Sequence, residues 1–196
     1  MRAVEKLFRE LDEKDKIFKS ESGLQCVAGC GRCCLNPDIE ATVLEFLPFA
    51  LHYYKSGKAD EILDQLNSNK TKICQILIPF RSSISSGFCR DFKYRGLICR
   101  LFGFSARRNK YNKLELITCK IIKENQPDIF NAACEKINNE IKVPGVGDYY
   151  MKLKMIDPEL GGKTYPINVA ISKAIDLVIN NYYYKNSPGN RYRKIS

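Results

Sequence analysis

Four cysteines fall within nine residues, in the run Cys26-Val27-Ala28-Gly29-Cys30-Gly31-Arg32-Cys33-Cys34. Thiolates at that density, with glycines between them, can converge on one metal or cluster without straining the backbone. The run therefore predicts an irregular loop over residues 24–36, with the rest of the chain folded around it. Five further cysteines follow at Cys74, Cys89, Cys99, Cys119 and Cys134. A disulfide framework is the competing explanation. It fits poorly, because the total of nine is odd and the neighbours Cys33 and Cys34 do not readily bond each other. The chain also opens Met1-Arg2-Ala3-Val4-Glu5-Lys6, with no apolar stretch of the kind that directs export. These observations together predict a reduced, cytoplasmic, metal-binding protein.

At 196 residues with 44% apolar composition, the chain is long enough to bury a core of its own. A single domain over 1–196 is expected, in which metal adds to folding rather than supplying all of it. No apolar run approaches the length of a membrane span. The formal net charge of +10 is unevenly spread. Residues 90–113 carry eight basic side chains against Asp91, whereas residues 38–64 carry six acids against two lysines. The basic excess thus lies among the later cysteines. There Arg90, Arg95, Arg100, Arg107 and Arg108 could lower thiol pKa values and offset thiolate charge. A nucleic-acid surface would instead need these cations facing outward beside stacking aromatics such as Phe92, Tyr94 and Tyr111. Aromatics at these spacings more often fill a small core, which argues against nucleic acid as the partner.

Periodicity predicts a mainly α fold with a small β-hairpin. An amphipathic helix over residues 2–19 buries Val4, Leu7, Phe8, Leu11 and Phe18 and ends at Gly23. A second helix, capped by Asp38, places Val43, Phe46, Leu47, Ala50, Leu51 and Tyr54 on one stripe and stops at Gly57. A shorter helix follows over 59–68, then an extended apolar segment from Lys72 to Phe80 and an irregular stretch over 81–100. Two strands, 102–107 and 113–119, flank a polar turn. Pro127 opens a helix reaching about Lys142, and a short helix is expected around 148–156. The last helix has the clearest stripe: Ile167, Ala170, Ile171, Ala174, Ile175, Val178, Ile179 and Tyr182. A loose basic tail is expected from about 186 to 196.

The spacing Cys26-x3-Cys30-x2-Cys33 is also that of the site-differentiated clusters of radical S-adenosylmethionine enzymes. Those enzymes are barrels of repeated βα units, and this chain has no such repeat. A broader set of runs fits better. Cys26-x3-Cys30-x2-Cys33-Cys34 is followed by Ile39-Glu40-Ala41-Thr42, by Cys74, by Gly87-Phe88-Cys89, and by Ile98-Cys99-Arg100-Leu101-Phe102-Gly103-Phe104. Cys119 and Tyr165-Pro166-Ile167-Asn168 complete the series. In these runs the chain resembles the YkgJ-type cysteine-cluster family of zinc- or iron-chelating domains, some of which are called iron–sulfur oxidoreductases. It departs from them at Arg95-Gly96-Leu97-Ile98, where Arg-Pro is common in the family.

The resemblance implies metal ligation by Cys26, Cys30, Cys33, Cys34, Cys74, Cys89, Cys99 and Cys119. Eight thiolates exceed the needs of one tetrahedral zinc or one four-iron cluster. Either two sites exist, or four cysteines bind while the others stand nearby. Cys134 belongs to neither set, because it joins Phe130, Ala133, Ile137 and Ile141 on a helical stripe as a packing thiol. Zinc sites commonly pair two Cys-x2-4-Cys knuckles, and no second knuckle follows Cys30-x2-Cys33. A tight run plus scattered single cysteines favours a 4Fe-4S iron–sulfur cluster over zinc.

The leading functional expectation is an iron–sulfur protein of redox character, with a protein partner left open. The alternatives are a zinc-stabilised, non-catalytic interaction module and, by resemblance to flagellin lysine methylases, part of a protein-modifying enzyme. Other chemistries find little support. His52 is the sole histidine and has no nucleophile motif beside it. Gly145-Val146-Gly147 and Gly161-Gly162-Lys163-Thr164 lack the further glycines of nucleotide-binding loops and read as turns.

Overall fold

A computed structural model describes residues 1–27, 29–79 and 87–186 of the chain. The first helix, α1 (Arg2–Ser22), buries Val4, Leu7, Phe8, Leu11 and Phe18, as its stripe predicts. It ends at Gly23, which adopts the left-handed conformation (φ 75°) that glycine tolerates without a Cβ penalty. The cysteine loop follows, with one turn of 3-10 helix at Arg32–Leu35.

The helix expected to start at Asp38 does not. Residues Glu40–Thr42 form strand β1, a 3-10 turn covers Leu44–Phe46, and α2 spans only Leu47–Lys55. Pro48 explains the delay. It has no N–H for an intrahelical bond and disfavours helical backbone before it, so it fits only the first turn. Next come α3 (Ala59–Ser68), strand β2 (Leu77–Ile78) and strand β3 (Phe88–Cys89), the two strands pairing antiparallel. Within the stretch expected to be irregular, α4 (Leu97–Leu101) carries Cys99. Five residues are too few to show a helical period in sequence.

Strands β4 (Ser105–Arg108) and β5 (Leu114–Ile117) form the predicted hairpin. Cys119 then caps a short helix, α5 (Lys120–Asn125), and Pro127 opens α6 (Pro127–Lys136). This second helix stops before the expected Lys142. The Asn138 side chain instead accepts from Leu114 N–H (2.9 Å) and donates to Leu114 C=O (3.2 Å), serving the open edge of β5. After α7 (Val146–Ile156), strand β6 (Thr164–Pro166) pairs with β1. The chain continues into α8 (Ile167–Asn186), and the expected tail lies almost entirely outside the described residues. The architecture is mainly α with small antiparallel strand pairs, as expected.

Two apolar clusters hold these elements. The larger centres on α8, whose Ile167, Ala170, Ile171, Ala174, Ile175 and Val178 are buried in a cluster where α8 packs on α2, α3 and β1. The smaller gathers Phe18, Leu24, Phe104, Ala106, Leu116, Ile122, Ala133 and Ile137 around the hairpin, α5 and α6. Cys34, Cys74, Cys89 and Cys99 belong to the first cluster, and Cys119 and Cys134 to the second. The cysteines are thus divided between the two clusters. Among the described residues, no helix is long and apolar enough to cross a membrane.

Candidate functional site

All nine cysteines are free thiols. Seven of the eight singled out from the sequence line one cavity of about 320 Å³: Cys26, Cys30, Cys33, Cys34, Cys89, Cys99 and Cys119. The eighth, Cys74, stands behind Cys34, its backbone N–H donating to Cys34 C=O at 3.4 Å. Cys134 is not among the lining residues. It sits half-buried on α6, packed against the smaller cluster.

The convergence is built by contacts between segments far apart in sequence. Gly31 (φ 54°) and Gly87 (φ 134°) let the cysteine loop meet the β2–β3 hairpin backbone to backbone. A Cβ on Gly31 would stand 2.5 Å from Gly87 O, and one on Gly87 would stand 2.2 Å from Ile78 O, so neither position tolerates a side chain. This contact delivers Cys89. The start of the loop is clamped by Gln126, which donates to Gln25 C=O (2.7 Å) and accepts from Gln25 N–H (3.1 Å). Cys119 enters from the end of the β4–β5 hairpin, where its sulfur also accepts from Ile122 N–H at 3.4 Å.

Cys99 is positioned by Glu45, a residue that the motifs do not single out. Glu45 is fully buried. One carboxylate oxygen accepts from Thr42 N–H (2.6 Å) and Thr42 Oγ1 (3.0 Å), while Thr42 Oγ1 accepts from Glu45 N–H (3.3 Å). This is a capping box, and the Thr-x-x-Glu spacing that encodes it is readable in the sequence. The other oxygen accepts from Ile98 N–H (2.8 Å), tying β1 to the first turn of α4. Burial lifts the Glu45 carboxyl to about 7, although the donors from Ile98 and Thr42 pull it down.

The thiols also oppose one another's ionisation. The Cys33 and Cys34 sulfurs are 3.9 Å apart. Cys33 is raised by its hydrogen bond to Cys34, then by burial and the Cys34 charge. For Cys34 the hydrogen bond from Cys33 lowers the pKa, but contact with Cys74, burial and the charges of Cys74 and Cys89 raise it further, to about 12. Burial raises Cys99 and Cys26, followed by Glu45 and three thiols at Cys99 and by three thiols at Cys26. Thiolates held this close need a cation between them if several are to ionise together.

The predicted basic excess divides in two. Arg100 is buried, donates to Lys93 C=O (2.6 Å) and Arg95 C=O (3.1 Å), pairs with Asp12, and lies over the Phe8 ring. Arg95 and Arg100 both line the thiol cavity. Arg107 and Arg108 are exposed on the hairpin, where Arg107 pairs with Glu115 at 3.6 Å. His52 stacks on Tyr94 at 4.2 Å.

Cys33, Cys34, Cys99 and Cys119 also face a second cavity, of about 680 Å³, which opens between Ile39 and Ile121. The thiols can thus be approached from two sides. Among the described residues, no three His, Cys, Asp or Glu side chains come close enough together to hold a single metal ion. No protein-family model, curated protein or solved structure matches the chain. The likeness to the YkgJ-type family rests on the motifs alone.

Proposed function

We propose that this chain binds a metal centre through cysteine thiolates, a four-iron cluster in preference to zinc, and works in a reducing, cytoplasmic setting. The observation that carries this reading is selective convergence. Seven of eight motif cysteines, drawn from the loop, β3, α4 and the end of the hairpin, line one cavity, while Cys134 stays apart. A chain using cysteines as small apolar residues has no reason to gather these and leave that one out. The second cavity gives the centre a face that a redox partner or substrate could approach.

Anaerobic purification with metal analysis and an absorption spectrum tests the proposal. A brown protein containing iron and sulfide is the expected result. A colourless protein with stoichiometric zinc would select the non-catalytic interaction module instead. Protein that takes up neither metal on reconstitution would sink the metal-centre reading.

A further inference from the structure

Arg95 is a cation inside the thiol cavity whose carboxylate partner, Asp12, is shared with Arg100. It lines that cavity between Phe92 and Arg100, with its side chain only 17% exposed. Its guanidinium lies 4.0 Å over the Phe92 ring, which fixes the plane of the group. The nearest carboxylate, Asp12, is 3.9 Å away and is engaged more closely by Arg100. Among the described residues, Arg95 Nε is buried without a hydrogen-bond partner. Burial and the neighbouring Arg100 charge both disfavour the guanidinium, while Asp12, Cys99 and Asp15 favour it.

A buried cation with a distant, shared carboxylate partner is costly, and a fold keeps one when something else adds opposite charge. The acid lining the same cavity is Asp15, whose Oδ2 is bonded to Lys19 at 2.6 Å while its Oδ1 is buried without a hydrogen-bond partner among the described residues. The other groups lining the cavity that can carry negative charge are the thiols, which include Cys89 and Cys99. Several thiolates around a metal centre keep net negative charge, and an N–H donor to a ligating sulfur stabilises it.

We infer that Arg95 is the counter-charge of the thiolate centre, its Nε–H donating to a sulfur or other anionic atom at the cavity's Arg95 end. The inference rests on the metal-centre reading and assigns one residue within it. Arg95 is a positioning residue here, fixed by Phe92 and serving the centre through its charge. It also predicts opposite effects in the two metal states. Without metal, Arg95 faces Asp12 at 3.9 Å, a carboxylate it shares with Arg100, and its Nε has no hydrogen-bond partner among the described residues. With metal, it is paired.

The test compares wild type, Arg95→Met and Arg95→Lys, with Arg107→Met as an exposed control. Each is prepared metal-free by chelation under anaerobic reducing conditions, and then loaded with ferrous iron plus sulfide or, separately, with zinc. Thermal unfolding and metal release to a competing chelator are followed in every form. Arg95→Met is expected to melt at the same temperature as wild type or higher when metal-free, and lower when loaded. Its metal affinity should fall about tenfold. Arg95→Lys keeps the charge without the planar donor, so it should fall between the two and provides the comparison if Arg95→Met does not fold. Arg107→Met should track wild type throughout.

Equal shifts of Arg95→Met in both metal states, with affinity unchanged, would reduce Arg95 to a packing role and overturn the inference. So would phosphate or sulfate stabilising metal-free wild type but not Arg95→Met, because the site would then serve a free anion. A wild type that loads neither metal defeats the metal-centre reading and this inference together. A wild type that loads while Arg95→Met loads as tightly defeats the inference alone.

Discussion

The two apolar clusters flanking the thiol cavity are built on different terms. On the α8 side, a helix with an unbroken apolar stripe lays Ala170, Ile171, Ala174 and Ile175 fully out of water against α2 and α3. On the hairpin side, eight buried apolar residues are drawn from short elements joined by side-chain clamps such as Gln126 to Gln25 and Asn138 to Leu114. The first side rests on buried area and needs no metal to form. Helix α1 runs through both, and the thiol cavity, whose Cys26 and Cys99 are raised by burial and then by neighbouring charges, draws residues from each. On the proposed metal-centre reading, the difference teaches that the α8 side would fold without metal while the thiol cavity would depend on it.

The largest expected effect lies in the α8 core. Ile175→Ala removes three carbons from a site with no exposure, and it should cost about 2–5 kcal/mol. The loss should be the same with and without metal when measured by urea unfolding. A cost that appears only in the metal-loaded protein would break the comparison, because the α8 core would then depend on the centre.

What could be read in advance follows the same division. The helices α1, α3 and α8 carry their periods openly, so Val4 to Phe18 and Ile167 to Val178 are buried where the stripes place them. Seven of the eight cysteines singled out from the sequence line one cavity, while Cys74 stands behind Cys34 and Cys134 is not among the lining residues. What assembles that set was not legible in advance. Gly31 meeting Gly87, Gln25 held by Gln126, and Asp12 paired with Arg100 are contacts between distant segments, and no local pattern announces them. Two signals went unused. Pro48 marks the late start of α2, and Thr42-Val43-Leu44-Glu45 spells a capping box whose acid also reaches α4.

Glu45 supplies a middle-sized test, because it ties β1 to α4, which carries Cys99. Its folded pKa of about 7 lies above the ordinary 4.5, so folding favours the protonated carboxyl. That contribution is fully present below about pH 4.5 and is lost as pH rises through about 7. Metal-free wild type should therefore lose stability between pH 5 and pH 8 relative to Glu45→Gln, which cannot titrate. At pH 6, Glu45→Gln should cost about 1–3 kcal/mol, since one amide N–H now faces a backbone donor at Thr42 or Ile98. Parallel stability curves for the two proteins across that range would show that Glu45 does not titrate there.

The smallest expected effect belongs to the cysteine outside the thiol cavity. Cys134 is half-buried on α6, so Cys134→Ala should cost about 1 kcal/mol from lost packing and leave metal content unchanged. Cys33→Ala touches no large apolar contact, because Cys33 is exposed and its nearest sulfur is Cys34 at 3.9 Å. On packing alone it should be the milder of the two. The proposed metal centre reverses that order: Cys33→Ala should lose metal and lower the unfolding midpoint of the loaded protein, yet leave the metal-free midpoint almost unmoved. Metal analysis and thermal unfolding of both variants decide the matter. If both keep their metal, Cys33 is not a ligand. If both lose it, the boundary between the two sides runs through α6 and takes Cys134 in.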